Sequence, residues 1–372
     1  MNDTTAGHHF GCTGTSMALK MEIESLGFEL STFAALDCAA LDYLPITSVE
    51  FFDEDILANF LAHNYKLCAL IQANDIVVIN GQGSLHEVER EALAFLYIVY
   101  VAKTVFCKNV QIINHSVYPH DTSGVEDSDI ISLYKKIYAV ADFVAIREPL
   151  SAAFMRRIGL EVHDSFDCLP LYIKRYYQSN LCNTQNDLIV VAGVAALFNL
   201  NISTAGTQAG ASVERGLMQM VKVLQLKMME GYTVRFLYSD GSPTKEEQQM
   251  LYFLKSYMGK SFAVIHAQTI DGWLKTIEKA DLLISGGFHH CIAAACLGTS
   301  FIALNSNIPN MAGLMKALWH PRPLIYSDLH LENKLRKAIS KSAICTNSAH
   351  MLDKLCTRAQ NNFAMLRKLS RF

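Results

Sequence analysis

Three stretches of the sequence combine glycine, histidine and hydroxyl or amide side chains in patterns that can hold a small anion or move a proton. Gly81-Gln82-Gly83-Ser84 follows a short apolar run. Two glycines there let the backbone come close to a ligand, and a helix after them would aim N–H groups at an anion. Ser84, with Glu87 three residues on, also makes a capping box, so the stretch reads equally as a capped strand-to-helix turn. It lacks the Gly-Lys-Ser/Thr of a Walker loop and is not a full GxGxxG. Ser285-Gly286-Gly287-Phe288-His289-His290 repeats the arrangement with two imidazoles opening a helix. Adjacent helical residues point in different directions. One of the pair, His289, is therefore expected to meet a ligand; a buried, hydrogen-bonded histidine is the structural alternative.

The third stretch is Asn2-Asp3-Thr4-Thr5 followed by His8-His9-Phe10-Gly11-Cys12-Thr13-Gly14, with a helix after it. It reads as a ligand loop or as a loose terminus. Its His-His-Cys grouping has the chemistry of zinc ligands, but no second ligand pair stands at structural-site spacing, so no metal is expected. Two shorter signals, Asn114-His115-Ser116 and Arg147-Glu148-Pro149, each follow a strand. Arg147 suits a carboxylate or phosphate clamp because guanidinium pairs bidentately with both. An ion pair with Glu148 is its structural alternative. The sequence has no Ser-His-Asp set in a recognised order and no GxSxG elbow.

These side chains need elements to position them. Asp75–Asn80 is an apolar run bounded by polar residues, as a buried parallel strand reads. Further strands are expected at 28–30, 110–114, 143–146, 188–192, 233–238, 262–266, 281–285, 301–304 and 324–326. Helices are expected at 16–26, 51–62, 87–103, 130–141, 149–157, 212–229, 245–257, 272–278, 290–297, 311–318 and 349–369. This alternation implies βαβ units and mainly parallel sheets. Gln178–Asp187 is polar and reads as a linker. The expected organisation is an N-terminal α/β domain over residues 1–177, a second over 178–345 and a C-terminal helix over 346–372. Two doubly wound, Rossmann-like domains facing a cleft would place ligands beyond the carboxyl ends of the strands, where the glycine turns stand.

Composition agrees. The chain has 372 residues, 51% hydrophobic and 18% charged, which is long for one core and too apolar for disorder. A net charge of −3 with no Lys/Arg cluster excludes a nucleic-acid footprint. The ten irregularly spaced cysteines include no CxxC, and the start does not resemble a signal peptide, so reduced thiols in a cytoplasmic protein are expected. No apolar run approaches the roughly 18 residues of a membrane span. Lys354, Arg358, Arg367, Lys368 and Arg371 make the tail basic. That is a solvated helix face or a peripheral contact with the inner face of a membrane.

Taken in order, the NDT…GC loop, the GxGSLH turn, NHS, IREPLS, SGxFH, LGTSFIAL and SNIPNxxGLM resemble the polysaccharide pyruvyl transferase family, over roughly residues 2–318. The resemblance implies a fold similar to the B-type glycosyltransferases, with the acceptor on the N-terminal side and the donor on the C-terminal side. It implies transfer of an enolpyruvyl group from phosphoenolpyruvate to sugar hydroxyls of a glycan or lipid-linked precursor in polysaccharide, including exopolysaccharide, biosynthesis. No cofactor is implied; self-association is left open. His289 would protonate the donor's methylene carbon while the acceptor hydroxyl attacks, and Arg147 would hold its carboxylate. Asn2, Asp3, Thr4, His9, Gly81, Gln82, Gly83, Ser84, Asn114, His115, Ser116, Ser285, Gly286, Gly287, His290, Asn307 and Asn310 would bind substrate. Two departures matter: Gly287 stands where the family's Arg-x-His arginine belongs, and Asn310 where its lysine belongs. Arg147, Lys316 and His290 are the candidates to compensate. A glycosyltransferase with a nucleotide-sugar donor, or a degenerate binding subunit, would use the same fold.

Overall fold

The computed structural model describes residues 1–5, 9–83, 85, 90–117, 128–178, 186–193, 208–238, 245–259, 262–305, 310–341 and 348–370. The chain divides into two compact units. The first comprises Met1–Gly7, Thr15–Cys168 and Thr357–Phe372; the second comprises His8–Gly14 and Leu169–Cys356. The boundary thus falls at Cys168/Leu169 rather than at the polar stretch after 177. The reason is packing: helix Leu169–Tyr176 lies against helix Phe288–Leu297 of the second unit. The tail is helical as expected but is no separate unit, since its last part, from Thr357, folds with the first unit.

The first unit runs α1 (Phe10–Ser25, entering from the second unit's short stretch), α2 (Ala35–Ala39), α3 (Glu54–His63), α4 (Tyr65–Ala73), β1 (Ile76–Gln82), α5 (Arg90–Thr104), β2 (Asn109–His115), α6 (Ser128–Val140), β3 (Phe143–Ile146), α7 (Pro149–Arg157) and β4 (His163–Asp164). Its sheet has the order β1-β2-β3-β4, all parallel. Met1 and Asn2 run alongside β1, Met1 bonding Val78 O and Asn80 N, and Asp3 pairs with Ala34. The strand expected at 28–30 is loop. Helix α5 is buried on nearly every face from Ala92 to Ala102, which explains its apolar composition all round. Helix α7 starts where Glu148 accepts bonds from Leu150 N and Ser151 N, with Pro149 at the first turn, where a missing N–H is harmless.

The second unit runs α8 (Leu169–Tyr176), β5 (Leu188–Ala192), α9 (Gln208–Met229), β6 (Thr233–Leu237), α10 (Lys245–Met258), β7 (Ala263–Ile265), α11 (Ile270–Lys279), β8 (Leu282–Ser285), α12 (Phe288–Leu297), β9 (Phe301–Asn305), α13 (Asn310–Ala317), β10 (Leu324–Ile325), α14 (Leu331–Lys341) and α15 (Ser348–Ala359). Its parallel sheet has the order β10-β9-β8-β5-β6-β7. Counted from β5, this is 3-2-1-4-5-6, the Rossmann order, with the direction of winding reversing between β5 and β8. No helix among the described residues is long and apolar enough to cross a membrane.

A last helix, α16 (Ala364–Leu369), follows a short 3₁₀ turn that pins the tail to the first unit. Fully buried Asn362 accepts from Asn114 N at 2.9 Å and donates to Phe166 O at 2.8 Å and Ala359 O at 2.9 Å. Basic tail residues are engaged too: Lys354 lies 3.4 Å over the Trp319 ring, and Arg358 donates to Ser165 O. Asn362→Ala strands a buried N–H and a buried carbonyl. It is expected to cost about 3 kcal/mol, measurable as a lowered midpoint in urea unfolding.

Candidate functional site

In the first unit, parallel register aligns Gln82 with His115 and His115 with Ile146, so the turns that follow lie side by side. Ser116 N bonds Gln82 O and Arg147 N bonds His115 O. The Arg147 guanidinium is buried, donating from Nε to Ser116 Oγ and from one Nη to Asp167, both at 2.9 Å. Asp167 also accepts from Thr15 Oγ at 2.9 Å. Arg147 thus pairs with Asp167, while its sequence neighbour Glu148 caps α7.

The N-terminal motif joins the same set. Gln82 donates to Thr4 Oγ, Thr4 bonds Ser16, Asn2 donates to Asn80 O, and Asn114 donates to Asn80 Oδ1. Asp3 is held by Lys20 at 2.6 Å. Asn2, Gln82 and Asn114 all have positive φ, at 62°, 40° and 55°. Such backbone strain clusters at functional sites. A cavity of about 50 Å³ beside Asn2, Asp3, Ser16 and Lys20 has room for water rather than a sugar. Gly81 serves packing, because a Cβ there would lie 2.4 Å from that of His115. Among the described residues, a Cβ at Gly83 would meet only Arg147, at 3.7 Å. His115 is fully buried, lies against Tyr138, and neither ring nitrogen has a hydrogen-bond partner among the described residues. Burial, with the Arg147 charge adding, pushes its pKa down to about 3.

In the second unit the glycine turns after β5 and β8 meet at the point where the winding reverses. Ala192 and Ser285 are in register, Gly286 N bonds Gly193 O at 3.0 Å, and Gly287 N bonds Ser285 Oγ at 3.0 Å. Gly193 has φ 60°, and a Cβ on it would lie 2.7 Å from Gly287 N. His290 accepts a bond from Trp273 Nε1 on its Nε2 at 3.1 Å. Burial first, and His289 beside it, push its pKa down to about 3. It is the neutral, structural member of the pair. His289 packs on the first turn of α1: a Cβ on Gly11 would come within 2.2 Å of it, and the His9 ring lies 4.9 Å away. His9 Nε2 is 3.2 Å from Cys12 Sγ, and its Nδ1 accepts from Cys12 N at 3.3 Å. One ligand atom each from His9, Cys12 and His289 lie within 4.8 Å of one another, close enough to hold a metal ion.

The expected residues therefore fall into two sets. Asn2, Asp3, Thr4, Gly81, Gln82, Gly83, Asn114, His115, Ser116 and Arg147 belong to the first unit. His9, Ser285, Gly286, Gly287, His289 and His290 belong to the second, where Asn310 opens α13. Ser84, its capping partner Glu87, and Asn307 lie outside the described residues. Sequence reading missed Gly193, Asp167 and Trp273, and it grouped Cys12 with His8 and His9 without bringing His289 to them. The His-x-x-Cys spacing at a helix start was the only local signal.

Two outcomes follow. A Cβ at position 287 would sit 2.5 Å from His290 Nδ1. Gly287→Ala is expected to dislodge His290 from Trp273 at a cost of about 2 kcal/mol, read from urea unfolding with a change in Trp fluorescence. For His115, the folded pKa lies below the unfolded value, so the unfolded chain binds the extra proton. Stability from this group is therefore lost as pH falls from 6.5 toward about 3, by about 1.4 kcal/mol per unit. His115→Phe should flatten the fall in unfolding free energy between pH 6.5 and 5 by about 2 kcal/mol.

Residues 35–307 match the sequence profile of the family described as polysaccharide pyruvyl transferase. No curated protein matches the chain in sequence. Among solved structures, the chain is similar to the UDP-GlcNAc 2-epimerase from Methanocaldococcus jannaschii, with 11% identity, a TM-score of 0.56, and 98% of this chain and 96% of that one covered. The enzyme of the same description from Rickettsia bellii is similar at 12% identity and TM-score 0.56, covering 96% and 86%. The Neisseria meningitidis epimerase bound to UDP-GlcNAc is similar at 7% identity and TM-score 0.55, covering 96% and 97%. At these identities the likeness is one of fold, two Rossmann-like α/β domains of the B-type glycosyltransferase kind. The profile match spans most of the chain and includes both glycine turns and His289, and the protein therefore belongs to the polysaccharide pyruvyl transferase family, as a transferase-type enzyme acting on sugars.

Proposed function

We propose that the protein is a sugar-modifying transferase that takes a nucleotide-linked sugar at the glycine turns of its second unit. The observation that carries this is the strand order: the turns after β5 and β8 flank the reversal point of a 3-2-1-4-5-6 sheet, where such sheets bind nucleotides. Helix α12 begins there, and the positive end of its dipole favours a diphosphate. Position 287 supports the same donor. His290 and Gly193 close it to any side chain, so an arginine expected to hold a small trianion has no room, while backbone amides suit a diphosphate. The structurally similar epimerase from Neisseria meningitidis is bound to UDP-GlcNAc. The polar set around Thr4, Gln82, Asn114 and Ser116 is the acceptor side of this reading, for a glycan or lipid-linked sugar.

Pyruvyl transfer from phosphoenolpyruvate is the second reading, and the family match favours it. There His289 would act as the proton donor, a role suited to imidazole near neutral pH. Differential scanning fluorimetry with UDP-sugars, UDP and phosphoenolpyruvate separates the readings. A UDP-sugar at a hundred times its Kd is expected to stabilise the fold by about 2.7 kcal/mol. Protection by phosphoenolpyruvate alone would reverse the choice of donor, and protection by neither would leave a non-catalytic binding subunit.

A further inference from the structure

The His9, Cys12 and His289 side chains converge although they come from two separate stretches of the second unit's sequence. His9 and Cys12 stand three residues apart at the start of α1, so both reach the same side of the helix. His289 is brought beside them because Gly11 leaves no Cβ in its way. His289 is 5% exposed, and His9 and Cys12 are half-buried, so the cluster keeps one open side. Two imidazoles and a thiolate are the ligand set of zinc-class ions. Magnesium and calcium prefer oxygen.

We infer that His9, Cys12 and His289 bind a zinc-class divalent ion with one position open, and that this ion supplies the positive charge that Gly287 cannot carry. This rests on the reading that the donor's diphosphate lies at the β8–α12 turn. A divalent ion with one thiolate and two neutral imidazoles carries a net charge of +1, the same as an arginine, two residues from position 287. Binding balances as follows. The Cys12 thiol releases its proton, and the His9 proton moves from Nε2 to Nδ1, freeing the Nε2 lone pair for the metal. The contacts given up include the 3.3 Å bond from Cys12 N to Nδ1 and the 3.2 Å contact between Nε2 and Cys12 Sγ. His289 then acts as a ligand rather than as a proton donor.

The test uses the full chain, stripped with chelator and then dialysed against zinc chloride. The wild type is expected to retain one more zinc per chain than Cys12→Ser or His9→Gln; comparing variants corrects for zinc held by other cysteines. Cobalt-loaded wild type should show a thiolate-to-cobalt charge-transfer band that Cys12→Ser lacks, with circular dichroism confirming that both are folded. Equal zinc content in wild type and variants, or no such band, would overturn the site. Calorimetric titration with UDP should show at least tenfold tighter binding to the zinc-loaded chain. Equal affinity with and without zinc overturns the donor role. A chain that takes zinc but binds no UDP under either condition overturns that role together with the nucleotide-sugar reading, while the zinc count decides the site on its own.

Discussion

Parallel strand pairing is the constraint from which both candidate sites follow. A parallel neighbour is reached only by a crossover, so each strand hands the chain to a helix and every carboxyl end lies on the same edge of its sheet. In the first unit this sets the turns after β1, β2 and β3 side by side, with Gln82, His115 and Ile146 in register. In the second it sets the turns after β5 and β8 next to each other, with Ala192 opposite Ser285. Residues far apart in sequence are brought together by backbone hydrogen bonding before any side chain is considered.

Side chains then specialise the two edges differently. The first unit builds a dense polar network in which Arg147 and Asp167 form a buried ion pair with side-chain exposures of 2% and 0%. Removing one partner from such a pair commonly costs about 3–5 kcal/mol, because the other charge stays buried. Arg147 also holds Ser116, and Asp167 holds Thr15, so the pair ties β2, β3 and α1 together. A guanidinium held this way has a fixed direction, and its neighbour across the turn is Gly83.

The second unit specialises by close backbone approach. Gly193 and Gly287 touch, and Gly11 touches His289, at distances that exclude a Cβ on any of the three. That approach decides which imidazole is turned into the core and which toward the start of α1. His290 is turned inward onto Trp273, and His289 is turned toward His9 and Cys12. One pair of adjacent histidines thus faces two different surroundings, as the helical geometry of neighbours requires.

Much of the fold was legible in the residues themselves. The strands at 143–146 and 188–192 and the helix at 149–157 lie where apolar runs, Pro149 and Glu148 place them, because burial period and capping are local properties. Helix α8 was not among the expected helices; its Pro170 stands in the first turn, where a missing N–H is tolerated. The glycine turns, His289 and the N-terminal motif were also visible as candidates. The sequence could not show that Asp167 rather than Glu148 would pair with Arg147, or that His290 would be bonded to Trp273. Nor could it show that Cys12 would meet His289. Those pairings depend on strand order and on which backbones touch. Both are set by long-range packing, which no local spacing encodes.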